Sequence, residues 1–257
     1  MGNKLGAVGG ASKATSAASE EDWPWVWAIR DPEQLDWKRG LEDEPEVLAR
    51  ISKQQSPLPV PLDLFAGDDN QRAPTVPSAS REKSFLWLGD AACARHAARL
   101  RHDIGITHIV NCADACNHHY DLNQTYADLG ITVLRLEAED EPGFPMLAKY
   151  LDRVQRFVAD AESQEESTKV MIHCTAGINR SGVLVAALVM LKYRISVLDT
   201  VRHIRRRRGN SFLWNETFQE DLVALARTHG LLGDTPTGAP AMPPLSKGPT
   251  KTVRDLF

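Results

Sequence analysis

The segment 173–182, which reads HCTAGINRSG, holds the residue types best suited to chemistry. Cys174 carries a thiol, which becomes a strong nucleophile once it is ionised. Arg180, six positions later, carries a guanidinium that can bind two oxygens of a phosphate group in one plane. A thiolate beside such an arginine is suited to attack on phosphorus, so the segment predicts a cysteine-dependent phosphatase.

The spacing of this pair is a weak argument by itself. Cys93 and Arg99 have the same separation, but they lie in a segment that is predicted to be helical and that contains no glycine. Cys93 is therefore interpreted as a small packed residue. The prediction of a phosphatase thus depends on the sequence around Cys174.

That sequence predicts a strand, a tight loop and a helix in succession. Residues 169–172, a lysine followed by three apolar residues, are typical of a buried strand. Residues 183–193 form a nearly all-apolar run typical of a buried helix. In α/β proteins such a junction commonly binds ligands, because inward N–H groups and the positive helix end attract anions. Gly177 gives the loop the freedom to turn tightly.

Each residue of the loop has an expected role. The combined field favours the thiolate of Cys174, and Arg180 stabilises the equatorial oxygens of the transition state. Ser181 can donate a hydrogen bond to the sulfur and help the thiolate to leave, and His173 is expected to hydrogen-bond neighbouring backbone. The other residues expected to surround the phosphate are Thr175, Ala176, Gly177, Ile178 and Asn179. The alternative is a tight turn with a buried cysteine and no chemistry.

Beyond residue 84, predicted strands alternate with predicted helices. The strands are expected at 85–88, 106–110, 131–134 and 169–172. The helices are expected at 91–102, 144–161, 183–193, 197–206 and 215–229. This alternation predicts an α/β fold in which a central, mostly parallel sheet is flanked by helices.

Composition divides the chain into four regions. Residues 1–22 are predicted to be a disordered leader, and residues 233–257, with five prolines, a disordered tail. Residues 84–232 form the predicted catalytic domain. Between them, residues 23–83 form an acidic extension rich in Trp and Pro. Its alternating Trp23, Trp25 and Trp27 could lie on one face of an extended segment, and we expect them to dock on the domain.

Charge and hydropathy exclude several classes of protein. The net charge of −4 and the pI near 6.1 argue against a dedicated nucleic-acid binder. The chain has no apolar run of the ~18–20 residues needed to span a bilayer, no secretory signal and only four cysteines, so a cytoplasmic location is expected. Gly2 stands where N-myristoylation requires glycine, although Gly6 replaces the favoured Ser or Thr. One acyl chain would give weak membrane association; the alternative is an uncharged flexible leader.

The loop HCTAGINRSG resembles the signature of the protein tyrosine phosphatase superfamily. The segments FLWLGD at 85–90 and GITHIVN at 105–111, and the basic helix before Gly209, are similar to segments of its dual-specificity branch, atypical type. The resemblance extends over about 84–232. It implies Cys174 as the nucleophile, Arg180 as the phosphate clamp, and hydrolysis through a cysteinyl-phosphate without metal or other cofactor.

The resemblance also implies a general acid, an aspartate about thirty residues before the cysteine. The acidic cluster at that distance contains Glu137, Glu139, Asp140 and Glu141. Asp140 is preferred because it is the one aspartate there and is followed by Pro-Gly-Phe, which can bend the loop. Alternatively, Glu139 or Glu141 takes the role, or Asp140 belongs to a solvated acidic turn.

Two further clusters allow more than one interpretation. Cys112, Cys116, His118 and His119 are spaced too loosely for a confident zinc motif, so no metal is expected. Cys112 is either a packed strand-end residue or, as in some members of the superfamily, a redox partner of Cys174. The arginines at 202 and 205–208 either interact with a helix dipole or bind acidic partners, such as segment 20–49 with its ten acidic and three basic residues.

The substrate expected from the resemblance is a phosphorylated protein. Hydrolysis of phosphotyrosine and of phosphoserine and phosphothreonine is expected. The domain is short and lacks the recognition loop of the larger tyrosine-specific enzymes, which favours a shallow pocket. An RNA 5′-phosphatase has a similar loop, and a phosphoinositide phosphatase would carry lysines that this loop lacks. The third alternative is a phosphate-binding scaffold without turnover. The sequence does not predict an oligomeric state.

Overall fold

The computed structural model describes residues 19–31, 35, 60–61, 85–113, 122–164 and 167–243. Several sequence-based predictions concern residues outside these ranges. Those residues are Gly2 and most of the leader, most of the 32–84 segment, Cys116, His118 and His119, and the tail beyond residue 243.

A five-stranded sheet forms the centre of the fold. Its strands are β1 (Val60–Pro61), β2 (Leu86–Gly89), β3 (His108–Asn111), β4 (Thr132–Arg135) and β5 (Val170–His173). The order is β1-β2-β5-β3-β4, and all neighbours are parallel except the short edge strand β1. The predicted mostly parallel sheet is confirmed, with its four predicted strands shifted by one or two residues.

Strand β5 lies between β2 and β3, and all of its side chains are buried. Such burial on both faces explains its continuous apolar sequence. His173 at the end of β5 is in register with Gly89 of β2 and Asn111 of β3. The carboxyl ends of three parallel strands therefore meet at one edge, where the loop after β5 begins.

Helices cover both faces of the sheet. In chain order they are α1 (Trp23–Arg30), α2 (Ala91–Ala94), α3 (Ala97–Arg99), α4 (Asn123–Asp128), α5 (Met146–Gln164), α6 (Arg180–Tyr193), α7 (Val197–Arg208) and α8 (Glu216–Thr228). Helix α6 contacts β2, β5, α5, α7 and α8, which explains why it is apolar on every side. Within the described residues, no helix is both long and apolar enough to cross a bilayer.

Residues 91–102 do not form the single continuous helix that was predicted for them. The chain forms α2, then α3, then a π-helical turn, Leu100–Ile104, which ends at Gly105. Ala94, Ala97 and Leu100 are all buried in the same apolar cluster on the outer face of the sheet. A spacing of three residues drifts around a straight α-helix by about 60° per step, so the break keeps all three side chains on the sheet.

The part of the extension that carries Trp23, Trp25 and Trp27 forms the helix α1, so the extended form predicted for these three residues is wrong. Pro24 occupies the first turn of α1, where its fixed φ and missing N–H are tolerated. The predicted docking is confirmed, since Trp23 and Trp25 are buried and α1 packs against α7 and α8. The Trp23 indole N–H also donates to the carbonyl oxygen of Pro240 over 2.8 Å, so part of the predicted tail lies against α1.

Candidate active site

The loop between β5 and α6 curls around the sulfur of Cys174. The backbone N–H of Gly177 and the hydroxyl of Ser181 each donate to Sγ over 3.2 Å. Donors of this kind stabilise a thiolate more than a thiol, because they bond more strongly to the charged form. The cysteine is only 1% exposed, so water does not compete with these contacts.

Gly177 is required by both conformation and space. Its φ of +67° lies in the left-handed region that side chains disfavour. A Cβ at this position would lie 2.5 Å from the carbonyl oxygen of Gly89 and 2.6 Å from Nη2 of Arg208. The loop therefore packs directly on the end of β2 and on α7 with no room for a side chain.

Arg208, the last residue of α7, supports the loop from outside. Its Nε donates to the carbonyl oxygen of Gly177 over 3.1 Å, and its Nη2 donates to that of Ala176 over 2.7 Å. The same Nη2 lies 3.3 Å from Oδ2 of Asp90, which also caps α2. Neither residue was predicted for this role, although Asp90 ends the FLWLGD segment and Arg208 ends the basic run.

Arg180 is almost completely buried beside the sulfur. Nη1 donates to the carbonyl oxygens of Cys112 and Ala138 over 3.3 and 3.2 Å, and Nη2 donates to the Thr175 hydroxyl over 2.8 Å. Three separate segments therefore orient one guanidinium. Such a preorganised fork can bind two oxygens of a phosphate without first being ordered.

Asp140 lies next to this guanidinium, with its Oδ2 4.0 Å from Nε of Arg180. Its side chain is 23% exposed, whereas Glu139 and Glu141 on either side are exposed. Asn179 donates to Oδ2 over 3.3 Å, and Asn215 donates to Oδ1 over 3.1 Å. Of the four acidic residues in this cluster, Asp140 is the one that the structure brings to the loop 174–179, which we call the phosphate loop after its expected role.

The acid loop, residues 137–143, is fixed at both of its ends. The Tyr150 hydroxyl of α5 donates to the carbonyl oxygen of Glu137 over 2.6 Å. The backbone N–H of Gly143 donates to the Thr217 hydroxyl in the first turn of α8 over 2.8 Å. Sequence reasoning missed Asn215 and Thr217, because nothing local indicates that α8 begins beside this loop.

His173 is buried under the loop and is neutral. Burial lowers its pKa from 6.5 to about 4, while the backbone of Cys174 and the Asp90 carboxylate oppose this shift. Neither ring nitrogen makes a hydrogen bond of ordinary geometry with the described part of the chain. The expected contact with neighbouring backbone is therefore reduced to a weak one with Cys174, and the imidazole is enclosed at the start of the loop.

Cys112 lies at the end of β3, next to the site. Its backbone N–H donates to the carbonyl oxygen of His173 over 2.8 Å, and its thiol is free. Burial and the neighbouring Cys174 raise the pKa of the Cys112 thiol well above its usual range. A thiol that stays protonated is a poor nucleophile. Its role as a redox partner stays a prediction.

The basic run contributes specific contacts in addition to any interaction with the helix dipole. Arg205 and Arg208 donate to backbone carbonyls of α1 and of the phosphate loop, respectively. The contact with α1 joins the basic run to segment 20–49 through a backbone carbonyl oxygen, and binding of acidic groups by the run stays a prediction. In the described residues, no group of three or more His, Cys, Asp or Glu side chains could hold a metal ion.

Comparison with known proteins gives a consistent result. The family model described as "Dual specificity phosphatase, catalytic domain" matches residues 86–228, which is more than half of the chain. "Dual specificity protein phosphatase 26" of Bos taurus is 32% identical over 142 residues, which cover 55% of this chain and 64% of the relative. "Dual specificity protein phosphatase 13B" of Mus musculus is 33% identical over 124 residues, which cover 48% and 61%.

Among solved structures, the crystal structure of DUSP15 is similar to this chain, with a TM-score of 0.47 and 24% sequence identity. The matched region covers 57% of this chain and 87% of the DUSP15 chain. For both named sequence relatives, the matched region spans less than two thirds of the relative's length.

Proposed function

Because the chain belongs to the dual-specificity phosphatase family, we propose that it hydrolyses phosphate esters of tyrosine, serine and threonine side chains in proteins. The proposed catalytic domain comprises residues 84–232. One observation carries the proposal: the sulfur of Cys174 accepts hydrogen bonds from Gly177 and Ser181 in a loop where Arg180 and Asp140 meet. This arrangement joins a hydrogen-bonded sulfur nucleophile, a phosphate clamp and a proton donor in one site.

The first step forms a covalent intermediate. The thiolate of Cys174 attacks phosphorus and forms the S–P bond, while the bond from phosphorus to the substrate oxygen breaks. Asp140 gives its proton to that oxygen, so the product leaves as a neutral alcohol or phenol. Arg180 and the N–H groups of the loop stabilise the charge on the equatorial oxygens.

The second step releases inorganic phosphate. The Asp140 carboxylate accepts a proton from a water molecule, whose oxygen attacks phosphorus as the S–P bond breaks. The electron pair returns to sulfur, and the hydrogen bond from Ser181 stabilises the departing thiolate. Both steps balance without a metal or a redox cofactor.

Charge around the site favours phosphoproteins over polyanionic substrates. The acid loop carries the exposed residues Glu137, Glu139 and Glu141. These carboxylates repel the repeated phosphates of RNA and the clustered phosphates of an inositide headgroup. The RNA 5′-phosphatase and phosphoinositide alternatives are less well supported for this reason.

Two other parts of the proposal rest on sequence alone. A cytoplasmic location and weak membrane association through Gly2 stay predictions, since Gly2 lies outside the described residues. Incorporation of a myristate analogue into the full chain, compared with its Gly2→Ala variant, would test the second.

The activity is tested with four substrates in parallel. They are a phosphotyrosine peptide, a phosphothreonine peptide, a phosphoinositide and a 5′-triphosphate RNA, each with wild-type protein and with Cys174→Ser. We expect hydrolysis of the two peptides by the wild type and none by the variant. Failure on all four substrates overturns the enzymatic function, and selective hydrolysis of the RNA or the inositide replaces the proposed substrate class. If the two peptides are hydrolysed, trapping of bound proteins with Cys174→Ser would identify the protein substrates.

A further inference from the structure

We propose that Asn179 and Asn215 form an amide clamp that positions the Asp140 carboxylate for proton transfer. The inference rests on the proposed function, because it assigns two positioning residues to the same reaction. Neither residue was predicted for this role from the sequence.

Each asparagine of the clamp donates a hydrogen bond to a different oxygen of the Asp140 carboxylate. The Asn179 amide nitrogen donates to Oδ2 over 3.3 Å, and the Asn215 amide nitrogen donates to Oδ1 over 3.1 Å. A carboxylate has two acceptor sites on each oxygen. The clamp therefore fixes the plane of the group and leaves a site on both oxygens for the proton that is transferred.

The orientation of each amide is set by its other end. Oδ1 of Asn179 accepts from the backbone N–H groups of Trp214 and Asn215 over 2.7 and 3.1 Å. Oδ1 of Asn215 accepts from the backbone N–H of Phe218 over 3.3 Å, which caps α8. Since an amide has one oxygen and one NH2 group, these contacts leave the NH2 of each to face Asp140.

Asparagine suits position 179 better than similar residues would. The side chain is only 3% exposed, so lost contacts would not be replaced freely by water. An aspartate would place a second carboxylate against Asp140, and a serine would be too short to reach both sides. Asn179 thus joins the phosphate loop, the acid loop and the start of α8 in one place.

The consequence for catalysis is selective. A displaced proton donor matters when the leaving group is a poor one, such as the alkoxide of serine, and matters little when the leaving group is an acidic phenol. Displacement by about 1 Å can cost on the order of 100-fold in rate. Loss of the clamp should therefore change the dependence of rate on the leaving group.

The experiment compares Asn179→Ala and Asn215→Ser with wild-type protein on aryl phosphates whose phenols span a range of acidity. Serine at 215 can still cap α8, so this variant removes the clamp and keeps the helix start. We expect kcat for the poorest leaving group to fall by roughly 10- to 100-fold more than kcat for the best in both variants. In an Asp140→Asn background, neither substitution should add to the leaving-group effect.

Ser196→Ala is the matched control. Ser196 caps α7 by accepting from the backbone N–H of Asp199 over 3.2 Å, at the opposite end of a 12-residue helix from Arg208. Its loss should lower the unfolding temperature without changing the leaving-group dependence. If both asparagine variants lose the same factor on every substrate, or lose nothing, the clamp is overturned. An inactive wild-type protein instead overturns the proposed function itself.

Discussion

Arg205 donates from Nη2 to the backbone carbonyl oxygen of Ile29 over 2.8 Å, which ties α7 to the N-terminal helix α1. The same nitrogen lies 3.4 Å from the carbonyl oxygen of Phe212, in the loop that leads to Asn215. A second connection runs through Gln219, which accepts from Arg30 over 3.0 Å and donates to the carbonyl oxygen of Leu213 over 2.7 Å. Helix α1, which lies outside the family match, therefore supports a loop of the candidate site.

Truncation of Ile29 should destabilise the whole domain. Ile29 is a residue of α1, and its side chain is completely buried where α1 packs against α7 and α8. Ile29→Ala should lower the free energy of unfolding by about 2–4 kcal/mol, because it removes apolar contacts and leaves a cavity. Urea unfolding measures the change. Trp214→Ala, at a side chain 55% exposed, should change stability by less than ~1 kcal/mol. Equal effects of the two substitutions would contradict the docking of α1.

Substitution of Gly177 should abolish activity. An added Cβ would overlap the carbonyl oxygen of Gly89 at 2.5 Å, so the phosphate loop must shift. Gly130 provides a matched control, because its φ is also +67° and a Cβ added there would meet nothing within 4 Å. Gly130→Ala should cost about 1–2 kcal/mol of stability and leave kcat/KM unchanged. Gly177→Ala should lower kcat/KM by at least ~100-fold, and near-normal activity would show that the loop tolerates the shift.

Replacement of Arg208 by lysine should weaken catalysis although the charge is kept. Lysine cannot reproduce the guanidinium contacts to Ala176, Gly177 and Asp90. We expect kcat/KM to fall by roughly 10- to 100-fold. Arg202→Lys, whose arginine pairs with Asp199 on the surface of the same helix, is the control and should behave as wild type. Identical kinetics for both variants would remove Arg208 from its supporting role.

Replacement of Asp140 should change the pH dependence of hydrolysis. In Asp140→Asn, the proton donor is absent at every pH, so the basic limb of the pH–rate profile should disappear for a phosphopeptide. The effect should be much smaller for an aryl phosphate with a good leaving group. Steady-state kinetics across pH measure both. Unchanged profiles would exclude Asp140 as the general acid.

The buried imidazole of His173 should make the fold sensitive to acid. Because its pKa falls from 6.5 to about 4 on folding, the unfolded chain binds this proton near pH 6.5 and the folded protein only near pH 4. Stability from His173 is therefore complete above pH 6.5 and is lost as the pH falls to 4, by about 3 kcal/mol in total. In His173→Asn, the free energy of unfolding should fall less steeply over this interval.

Asp221 contributes in the opposite direction over a similar interval. Burial and the neighbouring Glu220 raise its pKa from 3.8 to about 6, so its contribution to stability grows as the pH falls from 6 to 3.8. The measurement is therefore the difference between wild-type and His173→Asn unfolding curves, in which the effect of Asp221 cancels. Parallel curves between pH 4 and 6.5 would contradict the assignment to His173.

The local sequence predicted the strand, loop and helix around Cys174 correctly. The apolar residues 170–172, the glycine at 177 and the long apolar run at 183–193 restrict the chain to few conformations, because strand, turn and helix propensities depend on neighbouring residues. The local sequence also predicted the hydrogen bond from Ser181, whereas Asp140 was predicted from the family resemblance together with its position among acidic neighbours. Local propensity failed at 91–102, where burial of Ala94, Ala97 and Leu100 on the sheet breaks the helix.

The tertiary structure alone decided what surrounds this loop. Asp90 and Arg208 meet across 118 positions of sequence, and Asn215 meets Asp140 across 75. Contacts of this kind depend on where helix and strand ends lie relative to one another, and packing of the whole core determines that. The sequence therefore predicted a nucleophile, its loop and a candidate acid, whereas the packed fold decided which side chains hold them in place. Hydrogen bonds require ångström-scale placement that no local pattern specifies.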